Sequence, residues 1–166
     1  ILNSKDLCMI EHLPELMESG VSSFKIEGRM KSSYYAAVIT NAYRAAVDAA
    51  VGSRELPREW ASEVEKVSHR SYYTGFYFGR QTDGPHYPDS KYIRDWEVSA
   101  IVDSCDADGN ATVFQRNKFM RRDRLELLMP GRLPVAFTVD RMQNGEGQDI
   151  ESAPHPEMEI RLKLPC

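Results

Sequence analysis

A dense group of charged residues lies in the first fifth of the chain, where Lys25, Glu27 and Arg29 are spaced two positions apart. The apolar residues Phe24 and Ile26 alternate with them, which is typical of a β-strand. In such a strand Lys25 and Glu27 point to the same face. A lysine–glutamate pair with an arginine at its rim can hold an anionic or polar substrate, and we predict a catalytic pocket here. A structural ion pair or a solvated sheet face is the alternative.

The three cysteines, Cys8, Cys105 and Cys166, are far apart and form no CxxC pair. Their number and spacing exclude a disulfide framework and a complete zinc site, and they fit a reducing cytoplasm. Cys8 follows a predicted strand, where a lone cysteine is commonly a small buried apolar residue. Cys105 lies beside three aspartates at a turn, which is a weak metal signal. No HExxH or GxSxG motif occurs, so we expect no self-contained protease site.

Five basic residues in the second half of the chain surround two aromatic residues, Phe114 and Phe119. Cations interleaved with aromatic rings suit a nucleic-acid backbone and a stacked base. A solvated loop between two strands explains the pattern as well, and Asp123 and Glu126 dilute its charge. The predicted RNA-binding residues are Arg116, Lys118, Arg121, Arg122 and Arg124.

The elements that position these residues change along the chain. Residues 1–52 alternate strand and helix, with strands at the start and at 21–27, and with helices that begin near Pro14 and at Ser32 or Ser33. Two parallel strands cannot form a covered sheet alone, so this βαβα segment looks like the last quarter of a (β/α)8 barrel with an upstream part missing. A compact α+β domain is the alternative. Two unpaired edges also predict a homodimer or a domain swap.

The rest of the chain divides into a connector and a β domain. Residues 53–90 contain a helix opened by Pro57 and then a segment rich in aromatic residues, which predicts an ordered connector. From residue 92 apolar residues alternate with polar ones, and we assign residues 91–166 to a small antiparallel barrel or sandwich. Its predicted strands are 95–103, 110–117, 124–128, 134–142 and 157–164.

Composition limits the classes of protein. The 166 residues include 42% hydrophobic and 28% charged residues, as in a globular protein. No apolar run approaches the length of a membrane span, so we expect no membrane partner and a cytoplasmic location. The net charge of −4 argues against a general polyanion binder, although a local basic patch can still act.

A long motif links the chain to a known family. The run Ser23 to Tyr35 (SFKIEGRMKSSYY), preceded by Lys5-Asp6-Leu7-Cys8, resembles the downstream half of the peptidase U32 catalytic domain. The segments His69-Arg70, Gln115 to Phe119 and Pro130-Gly131 resemble its C-terminal extension. The resemblance therefore extends over nearly the whole chain.

The resemblance implies chemistry that spacing alone does not. The branch with this extension is similar to prephenate-dependent enzymes that hydroxylate the wobble uridine of tRNA. These carry a [4Fe–4S] cluster on four cysteines, and Cys8 matches the last of them. The other three would lie upstream, so this fragment alone should be inactive and hold no cluster. The β domain also resembles domain 2 of elongation factor Tu, which fits docking on RNA by analogy.

Three functions remain open at this point. The first is part of a tRNA-hydroxylating enzyme in which Lys25, Glu27 and Arg29 line the pocket. The second is a collagenase-type peptidase, in which the same residues act on a peptide substrate. The third is a non-catalytic RNA-binding module formed by the β domain.

Overall fold

The computed structural model describes residues 3–79, 86–87 and 92–165. Within them the chain forms two compact units, residues 1–96 and residues 97–166. The first contains the helices and a few two-residue strands, and the second is built from short strands. The chain is thus a mixed helix and sheet protein with small antiparallel sheets. None of its described helices combines the length and apolar character needed to cross a membrane.

The first unit begins with two short strands and a helix. These are β1 (Asn3–Ser4), β2 (Asp6–Leu7) and α1 (Leu13–Glu18), which follows a single 3₁₀ turn at Ile10–His12. Pro14 occupies the first turn of α1, where its missing N–H costs nothing. Gly20 ends the segment with a φ of +86°, a conformation that glycine adopts without strain. The helix predicted near Pro14 is confirmed.

The long helix α2 (Ser33–Val51) provides the core of the first unit. Ser32 is its N-cap, and the Ser32 hydroxyl accepts a hydrogen bond from the Tyr35 backbone N–H at 3.2 Å. The helix begins at one of the two predicted starts. Its buried residues recur at helical spacing, and three of them are alanines, which allow other elements to approach closely. They are Val38, Ile39, Ala42, Ala46 and Ala49.

The remaining elements of the first unit pack near α2 or pair with the opening strands. Pro57 precedes α3 (Arg58–Ser62), which continues into a 3₁₀ turn at Glu63–Lys66, so the predicted helix is confirmed. The strand β3 (Tyr72–Tyr73) pairs in parallel with β2. The strand β4 (His86–Tyr87) pairs antiparallel with β1. Other residues of the predicted aromatic connector, 80–85 and 88–90, lie outside the described part of the chain.

The strand predicted at residues 21–27 is wrong. No strand is assigned between Val21 and Gly28, and both Phe24 and Ile26 are exposed. A strand is defined by hydrogen bonds to a neighbour, and no described residue forms a ladder with this segment. The alternation of apolar and charged residues is present, but alternation alone does not supply a partner.

The second unit contains a four-stranded antiparallel sheet. Its strands are β5 (Ala100–Cys105), β6 (Asn110–Gln115), β10 (Met142–Asn144) and β12 (Glu159–Lys163), in the spatial order β10-β12-β6-β5. Two smaller ladders accompany it: β8 (Arg124–Leu127) with β9 (Val135–Thr138), and β7 (Phe119–Met120) with β11 (Ser152–Ala153). The core is formed by Ala111, Val113, Phe119, Val139, Met142, Ala153, Ile160, Leu162 and Leu164.

Most predicted strands of this unit exist, with shifted bounds. The strand predicted at 95–103 begins only at Ala100, and the one predicted at 134–142 is two strands, β9 and β10. The turn between β5 and β6 depends on Gly109, whose φ is +85°. A Cβ at this position would lie 2.5 Å from the Leu164 carbonyl oxygen, so only glycine fits.

Candidate functional site

The charged group that the sequence singles out lies on an exposed segment. The Nζ of Lys25 is 3.5 Å from a carboxylate oxygen of Glu27, and the two side chains are 86% and 68% exposed. The Arg29 backbone N–H donates a hydrogen bond to the other carboxylate oxygen of Glu27 at 3.1 Å. Lys25 and Glu27 therefore do lie on one side, as predicted. Within the described residues they form an open ion pair, and the enclosed pocket predicted around them is not seen.

Cys8 lies in a more structured environment. Its thiol is free and half-buried, and its Sγ is 3.6 Å from the Tyr43 hydroxyl on α2. The same hydroxyl oxygen accepts a hydrogen bond from the Met9 backbone N–H at 3.1 Å. Since that oxygen is already an acceptor, the hydroxyl proton is free to be donated to the Cys8 sulfur. The Cys8 backbone N–H donates to the Tyr73 carbonyl, which fixes the start of this loop against β3.

A second polar cluster, which the sequence analysis missed, lies two residues before Cys8. Asp6 accepts hydrogen bonds from the Arg70 guanidinium at 2.8 and 3.0 Å and from the Arg70 backbone N–H at 3.0 Å. Lys31 lies 3.9 Å from the same carboxylate and donates to the Ser68 carbonyl at 2.8 Å. The side chains of these three residues are only about one-fifth exposed. The cluster therefore joins β2, the segment before β3, and the approach to α2.

The electrostatics of this region follow from partial burial. Burial lowers the pKa of Lys31, and the neighbouring Arg70 and Arg94 lower it further, while Asp6 opposes them. Burial also raises the pKa values of Tyr35 and Tyr72, and the neighbouring Asp6 carboxylate acts in the same direction. Tyr72 donates its hydroxyl proton to the Val64 carbonyl at 2.8 Å. Both phenol groups therefore stay protonated at neutral pH.

The structure shows no complete metal site in the residues that it describes, where no three histidine, cysteine or acidic side chains converge. The weak metal signal near Cys105 has a different explanation. The Asp106 carboxylate accepts hydrogen bonds from the Asp108 and Asn110 backbone N–H groups and from the Asn110 side chain. Those bonds lower the pKa of Asp106 and close the turn between β5 and β6. Cys105 is exposed, and Cys166 lies outside the described residues.

The predicted RNA-binding residues of the second unit are exposed, but two of them are paired. Arg116 lies 3.1 Å from Glu157, and Arg121 lies 2.9 Å from Glu151. The two aromatic residues predicted to stack on bases differ in exposure. Phe119 is 1% exposed and belongs to the core, whereas Phe114 is 37% exposed. Phe119 therefore cannot stack on a base, and that part of the prediction is wrong. Lys118, Arg122 and Arg124 are exposed as expected.

An open cleft crosses another face of the second unit. It has a volume of about 840 Å³ and lies along β6, β10 and β12. Its polar lining includes Arg161 and Lys163, which are neighbours on one face of β12. Cross-strand pairing places Thr112 and Gln143 on either side of Arg161. This surface is not predictable from local sequence, because the register of the sheet, and not the order of residues, brings these side chains together.

Comparison with known proteins assigns both parts of the chain. The model of peptidase family U32 matches residues 1–86, and the model of the peptidase family U32 C-terminal domain matches residues 94–166. The chain belongs to peptidase family U32. The resemblance seen in the sequence is thereby confirmed.

Two relatives that align with nearly the whole of this U32 chain are named for tRNA hydroxylation. The tRNA hydroxylation protein P1 of Bacillus subtilis (strain 168) is 31% identical over 98% of this chain and 40% of its own length. The tRNA hydroxylation protein P of Escherichia coli (strain K12) is 34% identical over 99% of this chain and 37% of its own length. The chain thus spans about two-fifths of the length of these relatives. A collagenase of Porphyromonas gingivalis is 30% identical over 49% of this chain and 20% of its own length.

Similarity of this U32 chain to a solved structure is partial. The match to the C-terminal domain of a Geobacillus thermoleovorans U32 peptidase has 27% identity and a TM-score of 0.40, and it covers 42% of this chain and 80% of the solved one. The residues around Cys8 and Asp6 fall in the segment matched by the first family model, and the cleft along β12 falls in the second. The two candidate sites therefore belong to different U32 domains.

Proposed function

We propose that this chain is part of a U32 enzyme that hydroxylates tRNA. The observation that carries the proposal is the extent of the match. Two relatives named tRNA hydroxylation proteins align with 98% and 99% of the chain, including its C-terminal domain. The collagenase relative aligns with only 49% of it. Because the chain spans about two-fifths of those relatives, the activity belongs to the longer protein.

We also propose that Cys8 is one of four cysteine ligands of a [4Fe–4S] cluster. Its half-buried sulfur and the Tyr43 hydroxyl oxygen 3.6 Å away suit a thiolate that accepts a hydrogen bond. Residues 1–96 contain no other cysteine, and a four-thiolate cluster needs four. The remaining three ligands would come from the upstream part of the longer protein. When bound, such a cluster supplies iron-based redox chemistry.

Residues 21–28 form no strand with the described residues, and we propose that they become a strand only in a larger barrel. Their apolar side chains Phe24 and Ile26 are exposed at 37% and 40%, which is unusual for a segment with strand-like alternation. In a completed (β/α)8 barrel, neighbouring strands would pair with it and cover one face. Lys25, Glu27 and Arg29 would then lie near the active-site end of that barrel and bind substrate. Alternatively, a second copy of the chain could cover Phe24 and Ile26 in a dimer or domain swap.

The second unit is proposed to help bind tRNA. Lys118, Arg122 and Arg124 are exposed and have no ion pair within the described residues, so they can contact phosphate groups directly. Arg116 and Arg121 must first release their glutamate partners. Closure of its short sheets into a barrel like domain 2 of elongation factor Tu belongs to the same proposal. A cytoplasmic location stays a prediction.

A collagenase-type peptidase is the second candidate. The first half of the chain matches the collagenase relative, and the same segment carries Lys25, Glu27 and Arg29. Around these residues, the described part of the chain contains no nucleophile with an adjacent base. Hydrolysis of a peptide by a side-chain nucleophile would need both groups from elsewhere in the protein.

The decisive experiment measures iron, sulfide and tRNA modification in the full-length protein that carries this chain. The protein is purified without oxygen, and Cys8→Ser is compared with Cys105→Ser, a matched change at an exposed cysteine. We expect the cluster and the gain of one oxygen atom in tRNA to be lost in Cys8→Ser and kept in Cys105→Ser. A metal-free wild-type protein that cleaves gelatin and leaves tRNA unchanged would establish the peptidase instead.

A further inference from the structure

Three cationic side chains of the first unit converge on the ring of Tyr92. The Nζ of Lys31 lies 4.3 Å from the ring centroid, and the guanidinium carbons of Arg70 and Arg94 lie 5.7 and 5.9 Å from it. The ring is 43% exposed, so the group lies at the surface. Cation–π attraction explains part of this arrangement, since cations within about 6 Å of a ring are attracted to its face.

The charges of this cluster are not balanced within the described residues that contact it. Asp6 contacts Arg70 and Lys31, and Arg94 donates to the neutral Ser68 hydroxyl at 3.1 Å. Among the described residues that contact them, these three cations share one carboxylate. Lys31 and Arg70 are only about one-fifth exposed, so water screens their repulsion less than at an open surface. The repulsion is also visible on Lys31, because Arg70 and Arg94 both lower its pKa.

The helix α2 adds positive potential to the same place. Lys31 directly precedes the Ser32 N-cap, and the N-terminus of this 19-residue helix carries a partial positive charge. Lys31 uses one of its three protons on the Ser68 carbonyl, so others are available. Arg94 is the most exposed of the three cations, while Arg70 is bound on two sides to Asp6. An incoming anion would therefore meet Arg94 first and then Lys31.

We propose that Lys31, Arg70 and Arg94, around Tyr92, form a binding site for a backbone phosphate of RNA. Guanidinium and ammonium groups bind phosphate oxygens through charge-assisted hydrogen bonds, and an exposed aromatic ring beside them can contact a sugar or base. That the phosphate belongs to RNA rests on the proposed function of the protein. Since Asp6 is two residues from Cys8, the site would hold the RNA close to that cysteine.

This site differs from the basic group of the second unit in its ion pairing. There, Arg116 and Arg121 are each within 3.1 Å of a glutamate that a phosphate would have to displace. Arg94 is bonded to a neutral hydroxyl in the structure, and replacing that bond with a phosphate contact costs less. No local spacing predicts this cluster, because Lys31, Arg70 and Arg94 are far apart in the chain.

The test is tRNA binding by the full-length protein, measured by fluorescence anisotropy at several salt concentrations. Arg94→Gln is compared with Arg58→Gln, which removes the same charge from an exposed position on α3. We expect Arg94→Gln to weaken binding about fivefold and to lower the slope of log affinity against log salt by about one. Arg58→Gln should change neither quantity, and circular dichroism checks that both variants fold.

Two results would overturn the proposal. One is equal tRNA binding by the wild type and Arg94→Gln at every salt concentration. The other is equal tRNA binding combined with binding of inorganic phosphate that is lost in Arg94→Gln, which would make the site one for free phosphate. Binding is measured by anisotropy alone and requires no hydroxylation. Failure of this proposal is therefore distinguishable from failure of the proposed activity.

Discussion

Asp6 holds three separate segments of the first unit together. Its carboxylate accepts from the backbone and guanidinium of Arg70 and lies 3.9 Å from Lys31. These partners flank β3 and α2, which are distant in sequence. At 21% exposure the carboxylate is shielded from bulk water, so its contacts are stronger than those of an open surface pair. We expect Asp6 to contribute to stability independently of any catalytic role of the protein.

Replacing Asp6 by Asn should therefore be costly. The change keeps the shape of the side chain but leaves Arg70 and Lys31 without a negative partner, and we expect a loss of about 2 kcal/mol in the free energy of unfolding. Urea denaturation measures it. The control is Asp48→Asn, whose carboxylate is 59% exposed and pairs with Arg44 on α2, and which should cost about 0.5 kcal/mol or less. Equal losses in the two variants would show that Asp6 is an ordinary surface partner.

The sequence singles out residues from local runs but does not give their partners. Lys25 and Glu27 lie on one side as expected, and the roles of Cys8, Lys25 and Glu27 stay predictions. The contact between Asp6 and Arg70 joins residues 64 positions apart, and no local spacing rule reports it. Phe119 was misread for a related reason. Alternation along a strand shows that two faces differ, but the rest of the fold decides which face is buried.

At the scale of elements, the helices were predictable because their signals are local. The start of α2 follows from a serine cap, and its buried stripe follows from apolar residues three and four positions apart. The strands depend on partners. The segment 21–28 has the right alternation but no described partner, whereas β6 is flanked by β5 and β12 and forms as predicted. The short ladder of β7 and β11 was missed because two residues carry no period.

The cap of α2 provides a prediction at this scale. The Ser32 hydroxyl accepts from the Tyr35 backbone N–H, which has no partner within the helix. Ser32→Ala should therefore destabilise the protein by about 1 kcal/mol and speed hydrogen exchange at the Tyr35 amide. Ser33→Ala is the matched control, because Ser33 is exposed and is the first residue inside the helix. A similar loss of stability in both variants would show that the Ser32 hydroxyl does not stabilise the helix as a cap.

At the scale of the whole molecule, each unit has a core of its own. In the first unit Leu13, Val38 and Ala42 are buried together with residues of the segment after α3. In the second unit the buried residues form one continuous cluster that includes Phe119, Met142 and Ile160. The sequence indicated this division through the change from helical to strand-like period. It could not give the residue at which the division falls, residue 97, because that depends on contacts across the chain.

The core of the second unit gives the last prediction. A unit of this size has a stability of only about 3–5 kcal/mol. Phe119 is 1% exposed, and Phe119→Ala should cost about 3–5 kcal/mol through lost burial and a residual cavity. Residues 97–166 are expressed alone for this test. The wild-type unit should unfold cooperatively in urea, and the Phe119→Ala variant should lack that cooperative transition. Phe114→Ala, at a ring that is 37% exposed, should keep it. A cooperative transition in all three proteins would mean that Phe119 is not the centre of this core.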